Sequence, residues 1–201
     1  MQDKIFVPER IAVYQEKIKR SLFIASLEMC NDENEAHDFL VRIISNHRDA
    51  NHNCRAYIIE GREYFSDDGE PSGTGGRPIL NAIKRSGLEN VMVIVTRYFG
   101  GIKLGVRGLI DAYGGTAAKV LEMAGKKEKI LTSRLTISFD YSSMGFITKI
   151  LEDSHALNLS WEYGENISVD FEVPVNFLET LSGTLNELEA RKIIREVGSR
   201  S

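Results

Sequence analysis

The C-terminal third of the chain opens on an alternation of apolar and polar residues, Leu131-Thr132-Ser133-Arg134-Leu135-Thr136-Ile137-Ser138-Phe139. Such an alternation puts the apolar side chains on one face, which predicts a half-buried strand. Ser142 and Ser143 follow as candidate N-caps, and apolar residues at helical spacing occupy 146–151. The stretch is therefore predicted to run from a strand into a helix.

The same alternation returns twice further along the chain. Residues 157–163 and 167–173 alternate on either side of a bend at Gly164, which indicates a hairpin. A second helix and a final short strand near 190–197 complete the pattern. The order β-α-β-β-α-β is the ferredoxin-like arrangement, and we predict a domain of this kind over residues 130–201.

Residues 1–129 are less regular but also mix the two kinds of element. Strand patterns flank Lys17–Lys19, and a hairpin is predicted around Gly61. The apolar run 91–96 is typical of a buried strand, and residues 104–124 have helical spacing. We therefore predict an α+β protein of two domains, in which this domain precedes the ferredoxin-like one.

Composition excludes several classes of protein. Of the 201 residues, 42% are hydrophobic and 27% are charged, which is typical of a folded, soluble chain. The longest apolar run, residues 91–95, is far shorter than the ~20 residues of a membrane span, and no signal peptide is expected. Two cysteines cannot form a disulfide framework, so we expect a cytoplasmic protein without membrane association.

Positive charge is concentrated in one part of the chain. The formal net charge is −4, yet residues 77–107 contain six Lys or Arg residues and a single acidic residue. A local excess of positive charge on an acidic protein suggests one surface that faces an anion. Arg107 and Asp111 lie four residues apart on a predicted helix, so they share a face and are expected to pair.

Eleven of the 17 glycines fall between residues 69 and 115. Glycine is costly inside regular structure, so the clustering indicates positive φ, close packing or close approach to a ligand. The spacing fits neither a Walker phosphate loop nor a dinucleotide-binding loop. Free backbone N–H groups before a helix predicted over 79–85, beside Arg77, would nevertheless favour an anion. The candidate functional loop contains Asp67, Asp68, Glu70, Gly73, Gly75 and Gly76.

Aromatic and basic residues meet at a second candidate site. Tyr98 and Phe99 lie between Arg97 and Lys103, a combination that stacks bases and holds phosphates in RNA-binding proteins. We expect Phe99 itself in the core. For Tyr98, both a core position and a base-stacking position at the surface are compatible with the sequence. Core positions are also expected for three aromatic residues of the C-terminal strands, Trp161, Tyr163 and Phe171.

Four blocks of residues, in chain order, resemble the signature of the IMPACT/YigZ family: 20–25, 50–57, 66–80 and 97–113. The resemblance implies an N-terminal domain like domain IV of elongation factor G, with a βαβ-type sheet and helices on one face. It implies a C-terminal domain like domains III and V of that factor. Eukaryotic members act in translational control through the activator of a general-control kinase, and the bacterial branch has been interpreted as ribosome- or nucleic-acid-associated. Arg107 and Asp111 depart from the family pattern, which usually has glycine and arginine there.

Residues and resemblance together predict a non-enzymatic cytoplasmic protein that binds RNA, the ribosome or a translation-associated protein. No cofactor or metal is expected. The predicted contact surface consists of Arg77, Arg97, Tyr98, Lys103 and Arg107. One alternative is a pure protein-interaction module. The other is a metal-dependent hydrolase that holds Mg²⁺ or Mn²⁺ with Asp67, Asp68, Glu70 and His52. Beside that cluster, Cys54 is expected to be a buried thiol rather than a nucleophile.

Overall fold

The computed structural model describes residues 4–199 of the 201-residue chain. Two compact units divide it: Phe6–Lys129, and the residues from Ile130 onward together with Lys4 and Ile5. Each unit contains both helices and strands, so the predicted α+β class is confirmed.

Ten elements precede residue 131. In chain order they are β1 (Lys4–Pro8), β2 (Ala12–Ile18), β3 (Ser21–Met29), α1 (Glu33–Asn46), β4 (His52–Ile59), β5 (Arg62–Ser66), α2 (Gly76–Ser86), β6 (Val91–Tyr98), α3 (Gly105–Ala124) and β7 (Lys126–Ile130). Five of the strands form one sheet in the order β2-β3-β6-β4-β5. Every neighbouring pair in it is antiparallel.

The central strand β6 explains why this sheet is covered on both faces. Val91, Val93 and Val95 pack into a core with α2 and α3, whereas Met92 and Ile94 pack into a second core with α1. Successive side chains of a strand point to opposite faces, so α1 lies on the face opposite α2 and α3. The expectation of helices on one face is therefore wrong, because the apolar run of β6 needs cover on both sides.

The second unit contains six further strands and α-helices among residues 4–199. They are β8 (Thr132–Phe139), α4 (Met144–Asp153), β9 (Leu157–Tyr163), β10 (Ile167–Pro174), α5 (Val175–Ala190) and β11 (Ile194–Ser199). The strands form an antiparallel sheet in the order β11-β8-β10-β9. The predicted order β-α-β-β-α-β is confirmed, although the last strand begins four residues later than predicted because α5 extends to Ala190.

Aromatic residues of this sheet differ in burial. Phe171 is buried in the core as predicted, and Trp161 is partly buried against the same core. Tyr163 is 63% exposed, so its predicted core position is wrong. It ends β9, the edge strand of the sheet, whose pairing with β10 shifts register between Asp170 and Glu172. Among residues 4–199, no helix is both long enough and apolar enough to cross a bilayer.

Candidate functional site

The carboxylate of Asp67 organises the glycine-rich loop. It accepts the backbone N–H groups of Gly73 (2.8 Å), Gly75 (2.9 Å) and Gly76 (2.8 Å). A Cβ on Gly75 would collide with the Cys54 side chain, so this glycine is required by packing. The N–H groups predicted to bind an external anion are therefore occupied by the protein's own carboxylate. This cap also explains why α2 begins at Gly76, three residues earlier than predicted.

Asp68 fastens the same loop to the sheet. Its carboxylate accepts the backbone N–H of Asn53 at 2.7 Å and lies 3.3 Å from the guanidinium of Arg55. Both partners belong to β4, so the loop is held against the beginning of that strand.

Glu70 and Arg97 form a buried ion pair. Arg97 Nη1 donates to Glu70 Oε1 at 2.6 Å, and the side chains are 6% and 4% exposed. The Tyr113 hydroxyl donates to the same carboxylate oxygen at 2.8 Å, and Ser21 Oγ lies 3.4 Å from Arg97 Nη2. The predicted role of Arg97 as a surface cation is therefore not what the structure shows: this guanidinium lies in the interior.

The three carboxylates of the candidate loop, Asp67, Asp68 and Glu70, all have partners inside the protein. Each one accepts hydrogen bonds from donors of the chain itself. Within residues 4–199, no group of three or more His, Cys, Asp or Glu side chains is placed to hold a metal ion. The structure thus gives the metal-dependent hydrolase no assembled site.

Both cysteines are buried thiols. Cys54 Sγ donates to the carbonyl of Asp67 at 3.0 Å, and burial raises the pKa of Cys54 to about 12. Burial likewise raises the pKa of Cys30 to about 12. A protonated, inaccessible thiol is a poor nucleophile, which agrees with the structural role predicted for Cys54.

The raised thiol pKa values predict a loss of stability in alkali. Above pH 9, the ordinary value, the thiols of the unfolded chain ionise while those of the folded chain remain protonated until about pH 12. The unfolded state then binds fewer protons, so stability falls as pH rises, by about 1.4 kcal/mol per pH unit for each thiol. Urea denaturation at pH 8, 9.5 and 10.5 measures this slope. Replacing Cys30 by alanine should lower the slope, and an unchanged slope would contradict the assignment.

Phe99 lies outside the core, contrary to prediction. Its ring is 45% exposed, and its centroid lies 5.4 Å from Cζ of the buried Arg97. The backbone N–H of Phe99 donates to Asn51 Oδ1 at 2.7 Å, which fixes the residue just beyond the end of β6. A Cβ on the next residue, Gly100, would overlap the backbone of Arg20. The loop after β6 therefore packs against the turn between β2 and β3.

That turn consists of Lys19 and Arg20 alone. Ile18 pairs with Ser21, so two residues connect the strands, and both have positive φ, 43° and 70°. Two-residue hairpin turns with positive φ normally contain Asn or Gly, since other side chains are strained there. This turn was not predicted as a site, although the sequence has a short connection without Asn or Gly between the two strand patterns.

We call Lys19, Arg20, Phe99 and Lys103 the basic loop face. All four side chains are exposed. Within residues 4–199, none of the three cations forms an ion pair with a carboxylate. The face thus combines three uncompensated positive charges with an accessible aromatic ring.

A cleft of about 460 Å³ adjoins this face. It lies between the loop at Glu70, the end of β6 and the first turns of α3. The residues that line it are Asn51, His52, Glu70, Pro71, Arg97, Phe99, Lys103, Leu104, Gly105, Val106 and Leu109. Arg97 and Lys103 therefore line the same cleft, but Arg97 is buried and paired whereas Lys103 is exposed.

The remaining predicted contact residues lie elsewhere. Arg77 lines a separate groove between α2 and α3 and lies over the ring of Phe65 at 5.0 Å. Arg107 pairs with Asp111 at 3.2 Å, as predicted. Tyr98 follows Arg97 on β6, so its side chain points to the opposite face of the sheet. The Tyr98 hydroxyl is hydrogen-bonded to His47 Nδ1 at 2.9 Å. The five residues therefore do not form one surface.

Comparison with known proteins finds a matching family model and several similar proteins. The Impact N-terminal domain model matches residues 19–121. IMPACT family member YvyE of Bacillus subtilis is 39% identical over 90% of this chain and 83% of its own length. IMPACT family member YigZ of Escherichia coli is 33% identical over 72% of this chain and 74% of its own length. A crystal structure of a hypothetical protein superposes with a TM-score of 0.73 at 27% identity, covering 100% of this chain and 99% of that one.

Proposed function

The chain belongs to the IMPACT family, and from this premise we propose that it is a cytoplasmic, non-enzymatic regulator of translation that binds unpaired RNA through the basic loop face. The family resemblance supplies the link to translation. The matched span, residues 19–121, contains all four residues of the face.

The exposed ring of Phe99 beside unpaired cations is the observation that carries the proposal. Proteins that bind single-stranded RNA stack bases on exposed aromatic rings and hold the phosphates with Lys and Arg. Phe99 offers the ring, and Lys103 lies four residues further along the same loop. A simple anion would require only positive charge, whereas an RNA base also stacks on an aromatic ring. The exposed ring therefore favours RNA as the ligand.

The strained turn supports the same conclusion independently. Lys19 and Arg20 hold a left-handed backbone that Asn and Gly would adopt more easily. Single non-glycine residues with positive φ occur elsewhere in residues 4–199, but Lys19 and Arg20 are two in succession, so the backbone cost is incurred twice in one turn. In this turn, the side chains add two exposed positive charges next to the loop that carries Phe99.

Replacing the turn by Asn-Gly should move stability and RNA affinity in opposite directions. The double variant Lys19→Asn, Arg20→Gly relieves the backbone strain, so the free energy of unfolding should rise by about 1–2 kcal/mol. It removes two cations, so affinity for a 20-nucleotide uridine oligomer should fall roughly tenfold at low salt. The slope of log affinity against log salt should become shallower by about 1.4, because single strands contribute about 0.7 per phosphate contact. Urea denaturation and fluorescence anisotropy measure the two effects.

A matched control separates this surface from net charge. Lys192 is another exposed cation with positive φ (60°), and Lys149 is an exposed cation on α4. The variant Lys149→Asn, Lys192→Gly removes the same charge from the other compact unit and should leave RNA affinity within about twofold, since neither cation belongs to the basic loop face. Equal losses in both variants, or none in the turn variant, would remove the basic loop face from the RNA contact.

A further inference from the structure

We infer that the cleft beside Phe99 receives a single unstacked base of the bound RNA, with the phosphate of that nucleotide at Lys103. This rests on the proposed function and goes beyond it, because backbone contacts alone would leave the cleft empty. The shared chemistry is a nucleotide, whether it belongs to an RNA strand or is free.

Size and lining suit one nucleotide. A volume of about 460 Å³ falls within the range of small-ligand sites, about 300–1,000 Å³. Leu104, Val106 and Leu109 give the cleft an apolar wall on α3, and Phe99 contributes an aromatic ring. A flat base is matched by such walls, and Val106 is accessible to it because this side chain is 61% exposed.

The Phe99 ring is supported from inside the protein. The guanidinium of Arg97 lies 5.4 Å from the centroids of both Phe99 and Phe23. Its position is fixed by the ion pair with Glu70 at 2.6 Å. A cation held behind an aromatic ring makes a preorganised stacking surface, which lowers the cost of ordering when a base binds.

Two polar side chains, Arg97 and His52, line the cleft beside the Phe99 ring. Arg97 Nε is buried and has no hydrogen-bond partner among residues 4–199. Buried donors are almost always paired, so this one calls for an acceptor. His52 Nδ1 lies 2.8 Å from the carbonyl of Asp68; a carbonyl only accepts, so Nδ1 is the donor of this bond. His52 Nε2 lies 3.9 Å from Glu70 Oε1. Bases present donors and acceptors together on their edges.

Charge in the cleft favours one phosphate rather than a continuous strand. Arg97 is balanced by Glu70, which leaves Lys103 as the uncompensated cation among the lining residues that the structure describes. One free cation matches a single phosphate group. The additional cations Lys19 and Arg20 lie on the neighbouring turn, where they suit the phosphates of adjacent nucleotides.

Mononucleotides test the inference directly on the full chain. Uridine, cytidine, adenosine and guanosine 5′-monophosphates are titrated by calorimetry and by NMR of the His52 and Phe99 rings, with ribose 5-phosphate as the probe that lacks a base. At least one nucleotide should bind roughly tenfold or more tightly than ribose 5-phosphate, because stacking on an aromatic ring contributes that much. It should shift the resonances of both rings.

A blocking variant locates the bound base. Val106→Trp fills the mouth of the cleft and should abolish the preference for a nucleotide over ribose 5-phosphate. Val41→Trp makes the same change at a 51% exposed helical valine outside the cleft lining and should change nothing. Equal binding of ribose 5-phosphate and every nucleotide, or full nucleotide binding by Val106→Trp, overturns the base site.

The oligomer experiment distinguishes this failure from failure of the proposed function. RNA binding that depends on Lys19 and Arg20 but is indifferent to Val106→Trp would keep the RNA contact and overturn the base site. Nucleotide binding that Val106→Trp blocks, with no affinity for the uridine oligomer, would support a site for free nucleotides and overturn the proposed RNA binding.

Discussion

Replacing Arg97 by alanine is expected to destabilise the protein by about 3–5 kcal/mol, since removing one partner of a buried ion pair leaves the other charge without compensation. The stranded charge is the carboxylate of Glu70, whose side chain is only 4% exposed. Tyr113 still donates to it, but a hydroxyl does not replace a guanidinium. Urea denaturation at pH 7 measures the loss, which should appear as a lower midpoint with an unchanged m-value.

Two further variants separate a structural arginine from a ligand-binding one. Removing both charges, with Arg97→Met and Glu70→Gln, should recover most of the lost stability because no unpaired charge remains. Lys103→Ala removes an exposed cation and should change stability by less than about 0.5 kcal/mol. A loss below about 1 kcal/mol for Arg97→Ala, combined with lower RNA affinity, would restore the surface role that the sequence suggested.

The burial of Arg97 could have been predicted from the sequence, and that of Phe99 could not. Arg97 has the same parity along its strand as Val93 and Val95, so a continuous strand turns it towards the same core. Phe99 follows the strand, where parity no longer holds. Its exposure depends on how the loop packs against Arg20, and the residue of the loop that meets Arg20, Gly100, is 80 positions further along the chain.

The C-terminal unit was the most predictable part of the fold. The central strands β8 and β10 alternate between buried and less buried residues because one face of the sheet packs on helices and the other does not, so both are recognisable from the spacing of their apolar residues. In the larger unit, β6 is apolar on both faces, so the spacing of its apolar residues does not indicate on which face of the sheet α1 packs. The predicted helix placement failed there for this reason.

The glycine-rich loop shows a similar limit at the candidate site. Clustered glycines correctly indicated close packing and backbone N–H groups directed at an anion. The pattern could not identify that anion, because an internal carboxylate and an external phosphate require the same backbone. Asp67 stands only six residues before Gly73, near enough to occupy the site itself. Only the contacts of Asp67 in the structure show that the anion is this internal carboxylate.

Replacing Asp67 by alanine should therefore unfold the loop locally and cost the protein about 3–5 kcal/mol, because three N–H groups lose a charged acceptor and each unsatisfied donor costs about 1–3 kcal/mol. Asp68→Ala is the matched control, since it removes one backbone contact and one ion pair with Arg55. It should cost about 1 kcal/mol. Urea midpoints of the two variants give the comparison.

Anion rescue makes the Asp67 prediction specific. The variant Asp67→Ala leaves three N–H groups free at the start of α2, where the helix dipole also favours negative charge. Added acetate or formate should raise the denaturation midpoint of this variant more than that of the wild type or of Asp68→Ala, with chloride at equal ionic strength as the reference. Rescue would show that the loop is an anion site which the chain fills with its own carboxylate. A large loss of stability that neither anion reverses would instead assign Asp67 a packing role. A loss no greater than that of Asp68→Ala would contradict the role of Asp67 as the acceptor of three backbone N–H groups.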